Sequence, residues 1–168
     1  MRAEDEAAFR ELFAGRARSL RRTAYLLCGD WHRAEDLVQT AFVKLYASWA
    51  KVREREALDS YLRTVLVRAY VDETRRPSRR ERLFGDVPDY AVAESGGLGD
   101  RMELAAALRQ VPPRQRACLV LRFYDDLSVT ETAAALGCAE GTVKSQTAKG
   151  LGTLRALLGS HSPLPLEL

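Results

Sequence analysis

LSVTETAAALGCAEGTVKSQTAKGLGTL, residues 127–154, reads as two short helices separated by a tight turn, a helix-turn-helix. Ser128 stands where an N-cap belongs, with Glu131 three residues on, so hydroxyl and carboxylate can satisfy each other's exposed backbone N–H groups. Ala133, Ala134 and Ala135 are strong helix formers whose small side chains admit a close neighbour, and Leu136 closes the apolar stripe before Gly137 ends the helix. A second helix is expected from Ala139 or Glu140, turning Val143, Ala148, Leu151 and Leu154 inward. Thr142, Lys144, Ser145, Gln146, Thr147 and Lys149 are left to face out. That short, polar, basic set suits a major groove, where amides and hydroxyls meet base edges and lysines meet phosphates. The plainer alternative is a solvated helix on a small bundle, but the Ala-rich helix, glycine turn and polar helix occurring together favour DNA.

Working outward, 168 residues leave room for one domain or two small ones, and 46% hydrophobic content is that of an ordinary globular chain. A net charge of +3 lends nucleic-acid binding little support, so the position of the charges matters more than their sum. Residues 83–100 carry four acidic side chains and no basic one, between two mildly basic blocks. Cys28, Cys118 and Cys138 are odd in number and widely spaced, with neither histidine at metal-ligand spacing. They read as reduced, mostly buried thiols, with no metal site. No signal peptide opens the chain and no apolar run approaches the roughly 20 residues that span a bilayer, so a cytoplasmic protein without membrane insertion is expected.

The first block reads as helix throughout. Phe9, Leu12, Phe13, Ala17, Leu20, Ala24 and Leu27 recur at helical spacing until Gly29 and Asp30 break the run, with Arg10, Arg16, Arg18, Arg21 and Arg22 opposite, either meeting DNA or keeping the helix in water. Ala34, Leu37, Val38, Ala41, Phe42, Leu45, Tyr46 and Trp49 form the next stripe, opposite Glu35, Asp36, Gln39, Thr40, Lys44 and Ser48. That polar face is either solvated surface or a docking face for a larger protein. After the charged connection of residues 51–57, Leu58, Tyr61, Leu62, Val65, Leu66, Ala69 and Tyr70 set up a third helix ending at Arg75, Arg76 and Pro77. Lys51, Arg53 and Arg55 in the loop, with Arg63, Arg68, Arg75 and Arg76 on the helix, form a candidate phosphate-facing rim interleaved with acidic residues.

Periodicity fails over residues 77–100, which hold two prolines and four glycines, so this acidic stretch reads as a linker. Helix resumes at Met102, Leu104, Ala105 and Leu108, stops at Val111 before Pro112 and Pro113, and restarts through Cys118, Leu119, Leu121, Arg122 and Tyr124. The expected fold is all-α: two small helical domains, residues 1–76 and 101–158, joined by a flexible acidic linker, residues 77–100, with a tail at residues 159–168.

AEDLVQTAFVKLYASW (residues 34–49), LDSYLRTVLVRAYVDETRR (residues 58–76) and VPPRQRACLVLRFYDDLSVTETAAALGCAEGTVKSQTAKGLGTLR (residues 111–155) resemble, in order and spacing, conserved blocks of the extracytoplasmic-function (ECF, group 4) class of bacterial sigma-70 RNA polymerase sigma factors. Within that class the chain is most similar to the small actinobacterial SigE-like group. The resemblance implies a non-enzymatic initiation factor without cofactors, whose partners are core RNA polymerase and promoter DNA. The helix with Glu35, Asp36, Gln39, Thr40 and Lys44 would dock on the clamp helices of the largest subunit. Lys51, Arg53, Arg55, Tyr61, Arg63, Arg68, Arg75 and Arg76 would take the −10 element, capture a flipped base and hold the strands apart. The second helix of the helix-turn-helix would read the −35 element while its domain sits on the polymerase flap. The linker carboxylates Asp86, Asp89, Glu94 and Asp100 would run toward the RNA path. Regulation would fall to a separate protein, such as an anti-sigma factor, or to expression level.

Two positions depart from the family pattern: Ala139 replaces the usual serine or threonine cap, and Gln146 replaces an arginine, exchanging a phosphate or base contact for an amide able to pair with adenine. A LuxR-type regulator is the second reading of the helix pair, but the first 100 residues lack the strand-helix alternation of a receiver domain. No glycine-rich phosphate loop, metal cluster or paired nucleophile and base supports an enzyme.

Overall fold

The computed structural model describes residues 2–76 and 98–159, with side chains described from residue 103 in the second segment. Among the described residues there are seven α-helices and no strand. The expected linker lies outside them up to residue 97, as does the expected tail from residue 160.

Helix α1 (Ala3–Cys28) stops at Gly29, whose φ of +75° is left-handed and whose N–H returns to the Tyr25 carbonyl at 2.7 Å. Asp30 follows at once as the cap of α2 (Trp31–Ser48), its carboxylate accepting from the His32 N–H at 2.8 Å. This stop-and-cap pair turns the chain back on itself, so Leu20, Ala24 and Leu27 meet Ala34, Leu37, Val38, Ala41 and Leu45 in one core. Phe13 and Tyr46, expected inside, are 46% and 49% exposed. Their rings meet Phe42 at 4.8 Å and Phe9 at 5.3 Å, both edge-to-face, a geometry that packs a ring edge and leaves a face in water. Two short 3-10 turns, Trp49–Lys51 and Arg55–Ala57, carry the connection to α3 (Leu58–Thr74).

The buried set of α3 is wider than one stripe: Leu58, Leu62, Leu66 and Tyr70 are joined by Val67, Val71 and Thr74. The reason is tertiary, because α3 packs against α1 and α2 and also against helices of the second half. That half begins with α4 (Leu98–Gln110), three residues before the expected boundary. Pro113 opens α5 (Pro113–Leu119), where its missing N–H costs nothing. The chain then widens into a π turn, Val120–Tyr124, closed by the Asp125 N–H on the Val120 carbonyl at 3.0 Å. Helical periodicity contains no signal for that extra residue.

Helix α6 (Val129–Leu136) carries the expected capping box, with the Glu131 N–H donating to the Ser128 hydroxyl at 3.0 Å and the Ser128 N–H to the Glu131 carboxylate at 2.7 Å. Those bonds hold the Glu131 carboxyl below its ordinary range. Gly137, at φ +66°, ends α6, and the Cys138 N–H returns to the Ala133 carbonyl at 3.1 Å. Helix α7 (Glu140–Leu158) starts from Ala139 without a side-chain cap, as its apolar side chain dictates.

The two halves share one hydrophobic core. Leu27, Leu45, Leu66 and Val67 from α1–α3 are continuous with Leu108, Val111, Leu121, Ala135 and Leu154 from α4–α7, while Cys118, Ala133 and Val143 form a smaller cluster under the helix-turn-helix. Polar bonds line the seam. Arg116, 5% exposed, donates to the carbonyls of Leu27 at 2.7 Å, Arg109 at 2.7 Å and Val111 at 2.8 Å. Arg109 itself donates to the Gly29 carbonyl.

Candidate nucleic-acid interface

The recognition candidate is the N-terminal half of α7. Val143 and Leu154 are fully buried, and Gly150 is buried so close to α5 that a Cβ there would lie 3.0 Å from a Leu119 methyl. These contacts fix the rotation of the helix. Thr142, Lys144, Ser145 and Lys149 are exposed and Gln146 is half-exposed, as expected for a groove-facing side.

Thr147 and Ala148 exchange their expected places. From Val143, helical spacing of four and seven leads to Thr147 and Gly150, so Thr147 turns inward, its hydroxyl donating to the Val143 carbonyl at 2.7 Å, and Ala148 is exposed. Thr147 also hydrogen-bonds toward Cys118, whose thiol is pushed up to about 11 mainly by burial. Cys28 is likewise raised to about 11 by burial, and neither thiol is in a disulfide. Both are poor nucleophiles at neutral pH.

The second candidate surface is the loop of residues 51–57 with α3. Lys51, Arg53, Arg55, Arg75 and Arg76 are exposed, while Tyr61 is half-buried against the core. An open cleft of about 330 Å³ lies beside the loop, lined by Arg2, Asp5, Trp49, Val52, Arg55 and Leu58.

Arg63 and Arg68 are not on a free rim. Arg63 pairs with Asp125 at 3.3 Å, an ion-pair contact without hydrogen-bond geometry, and the other Asp125 oxygen accepts from the Thr23 hydroxyl at 2.9 Å. The Asp125 side chain is only 8% exposed, and burial raises its pKa more than Thr23 and Arg63 lower it. Arg68 donates to the carbonyls of Ala135 at 3.0 Å and Ala134 at 3.1 Å, placing a cation on the C-terminal end of α6. Sequence reasoning missed Asp125 and Arg116, because each takes a partner from an element over 60 residues away.

On α2, Glu35, Asp36, Gln39, Thr40 and Lys44 are all exposed on one side. Glu35 pairs with Arg21 at 3.0 Å, and the Thr40 hydroxyl is spent on the Asp36 carbonyl at 2.8 Å. Val43, beside them, is 67% exposed and continues this side toward Phe13 and Tyr46. Among the described residues, no helix is long and apolar enough to cross a membrane.

A three-helix unit with an exposed polar-and-apolar face on α2, packed against a helix-turn-helix unit with an outward basic helix, defines a two-part helical protein. Comparison with known proteins fixes its kind. The profile "Sigma-70 region 2" matches residues 12–80 and "Sigma-70, region 4" matches residues 101–154. The RNA polymerase sigma-E factor of Streptomyces avermitilis is 37% identical over 154 residues, covering 91% of this chain and 86% of that one. The ECF RNA polymerase sigma factor SigM of Mycobacterium tuberculosis is 33% identical, covering 94% and 80%. Among solved structures, the sigma factor RpoE in complex with the anti-sigma factor NepR from Bartonella quintana superposes with a TM-score of 0.75 at 26% identity, covering 92% of this chain and 99% of that one. The chain belongs to the extracytoplasmic-function sigma factors, within the actinobacterial SigE-like group. It directs promoter-specific transcription initiation by core RNA polymerase and is not an enzyme. A LuxR-type regulator is not favoured.

Proposed function

We propose that residues 1–76 form the part that docks on core polymerase and takes the −10 element, that residues 101–158 form the −35 reader, and that the acidic residues 77–100 link them. The observation that carries this reading is the rotation of α7: with Val143, Gly150 and Leu154 locked inward, Thr142, Lys144, Ser145, Gln146 and Lys149 share the opposite side. A helix so presented enters a major groove, with Gln146 offering its amide to adenine and the lysines reaching phosphates. Thr147 is better assigned to holding α7 against Cys118 than to a base.

Lys51, Arg53 and Arg55 beside the 330 Å³ cleft supply cationic surface for a single strand, and the cleft is the place for a flipped base. Arg75 and Arg76 extend that surface at the end of α3, with Tyr61 behind it. Glu35, Asp36, Gln39, Thr40 and Lys44 form the face offered to the polymerase clamp helices. The likeness to a sigma factor bound by an anti-sigma factor supports a protein regulator of that kind, and the chain acts in the cytoplasm, where core polymerase is.

Run-off transcription with core RNA polymerase on fragments of the source genome tests the assignment. Transcripts that depend on the chain would supply both promoter elements. Gln146→Ala should then relax selection at one −35 base pair, worth about 1–3 kcal/mol, while Lys51→Ala with Arg53→Ala should slow strand opening on every promoter. Gln146→Ala leaving −35 selection untouched would remove that residue from the reader.

A further inference from the structure

Glu140, the first residue of α7, is exposed and stands outside the set of side chains assigned above to the −35 element. Its carboxylate is nonetheless held in place. The Thr130 hydroxyl, on the first turn of α6, donates to Glu140 Oε1 at 2.7 Å. We propose that Glu140 is a specificity-determining residue of the −35 reader, selecting cytosine at one position of the element, and that Thr130 positions its carboxylate. The inference rests on the −35 assignment of α7 made above.

Two observations carry it. Lys144 stands one turn along α7, at the spacing where a glutamate and a following lysine ordinarily pair on a helix surface. In the structure the carboxylate is bonded to Thr130 instead, so the two charges are presented separately on exposed surface, the lysine for an acceptor and Glu140 Oε2 for a donor. Beside them Gly141 is exposed, and a Cβ added there would meet no atom within 4 Å. Packing within the molecule therefore gives no reason for a residue that is poorer in a helix than alanine. A bare backbone next to Glu140 lets a second surface come close to the first turn of α7.

The N-terminal residues of a recognition helix are the ones that meet base edges. There a carboxylate accepts from the amino groups of cytosine and adenine, whereas guanine and thymine present acceptors that it repels. Adenine sets its N7 acceptor beside the amino group and cytosine does not, so an anion fixed in place favours cytosine. The same charge is repelled by the phosphates, so Glu140 discriminates chiefly by excluding the wrong base and not by adding affinity. A carboxylate free to rotate would swing from an unfavourable base into water. The bond from Thr130 restrains that escape and makes the exclusion effective.

Run-off transcription by the holoenzyme tests this, on a promoter the chain is found to use, with each −35 position changed in turn to every base pair. The wild type should favour cytosine about tenfold at one position. Glu140→Gln keeps an acceptor for Thr130 but removes the charge and adds an amide donor, the pairing that suits adenine. At that position it should raise adenine to at least the level of cytosine, with the other positions unchanged. Thr130→Val should lower the cytosine preference severalfold and Thr130→Ser should keep it, whereas a merely structural bond would change the yield from all templates alike. Glu140→Gln with wild-type preferences at every position would overturn the proposal, as would a wild type with no preference for cytosine anywhere in the element. Wild-type transcripts indifferent to every −35 change would instead remove the −35 reading of α7 itself, and this proposal with it.

Discussion

Arg116 brings a charge into the seam where it is 5% exposed, and burial lowers its pKa from the usual arginine value, its hydrogen bonds going to backbone carbonyls. Its planar fork meets three backbone carbonyls from α1, α4 and the turn after α4, which only a guanidinium can do at once. Arg116→Met should leave those carbonyls unpaired at a cost of about 3 kcal/mol, roughly a 10 °C fall in Tm for a chain of this size; a thermal melt within 1 °C of wild type would refute the role. Asp125 works in the opposite sense. Burial raises its pKa above the ordinary 3.8, so its ionised form costs the packed state. The stabilisation from its protonated form is present below the ordinary value and is lost as pH rises through the folded one. Asp125→Asn keeps an acceptor for Thr23 and removes that titration. Its urea midpoint should therefore be no lower than wild type at pH 7, and the wild type should gain on it as the pH is lowered; a variant clearly less stable at pH 7 would contradict this.

At the level of elements, local chemistry was legible wherever a bond closes within a few residues. Ser128 with Glu131, Gly29 with Asp30 and Gly137 all do in the structure what their residue types dictate. Ser128→Ala should cost about 1 kcal/mol, and Ala139→Ser should stabilise by about as much by supplying the cap that α7 lacks, both read as shifts in a urea midpoint. No gain from Ala139→Ser would mean that the first turn of α7 is held by its packing. What local pattern misjudged has equally definite causes. Thr147 and Ala148 are both consistent with an amphipathic helix, and the choice between them was made by Gly150 seating α7 against Leu119. The π turn of Val120–Tyr124 inserts a residue that no apolar periodicity marks. Phe13 and Tyr46 keep helical spacing yet stay half in water, leaving apolar surface next to the polar face of α2.

On the scale of the whole molecule, a core continuous from Leu27 to Leu154 couples the two halves. Both tryptophans, Trp31 and Trp49, lie in the first half, so their fluorescence follows that half while circular dichroism follows all the helices. The two signals should unfold together in urea, as one cooperative unit; separated transitions would show that the halves fold independently. The sequence by itself determined the all-α class, the Ser128–Glu131 capping box, the helix-ending Gly29 and Gly137, and the family, because these depend on spacing and on residue types meeting neighbours a few positions away. Tertiary structure alone decided that α3 is covered on two sides, that Arg63 and Arg68 are engaged by the other half, and that Arg116 and Asp125 bridge the seam. Those contacts join residues 62 to 102 positions apart, and no local periodicity carries information over that distance.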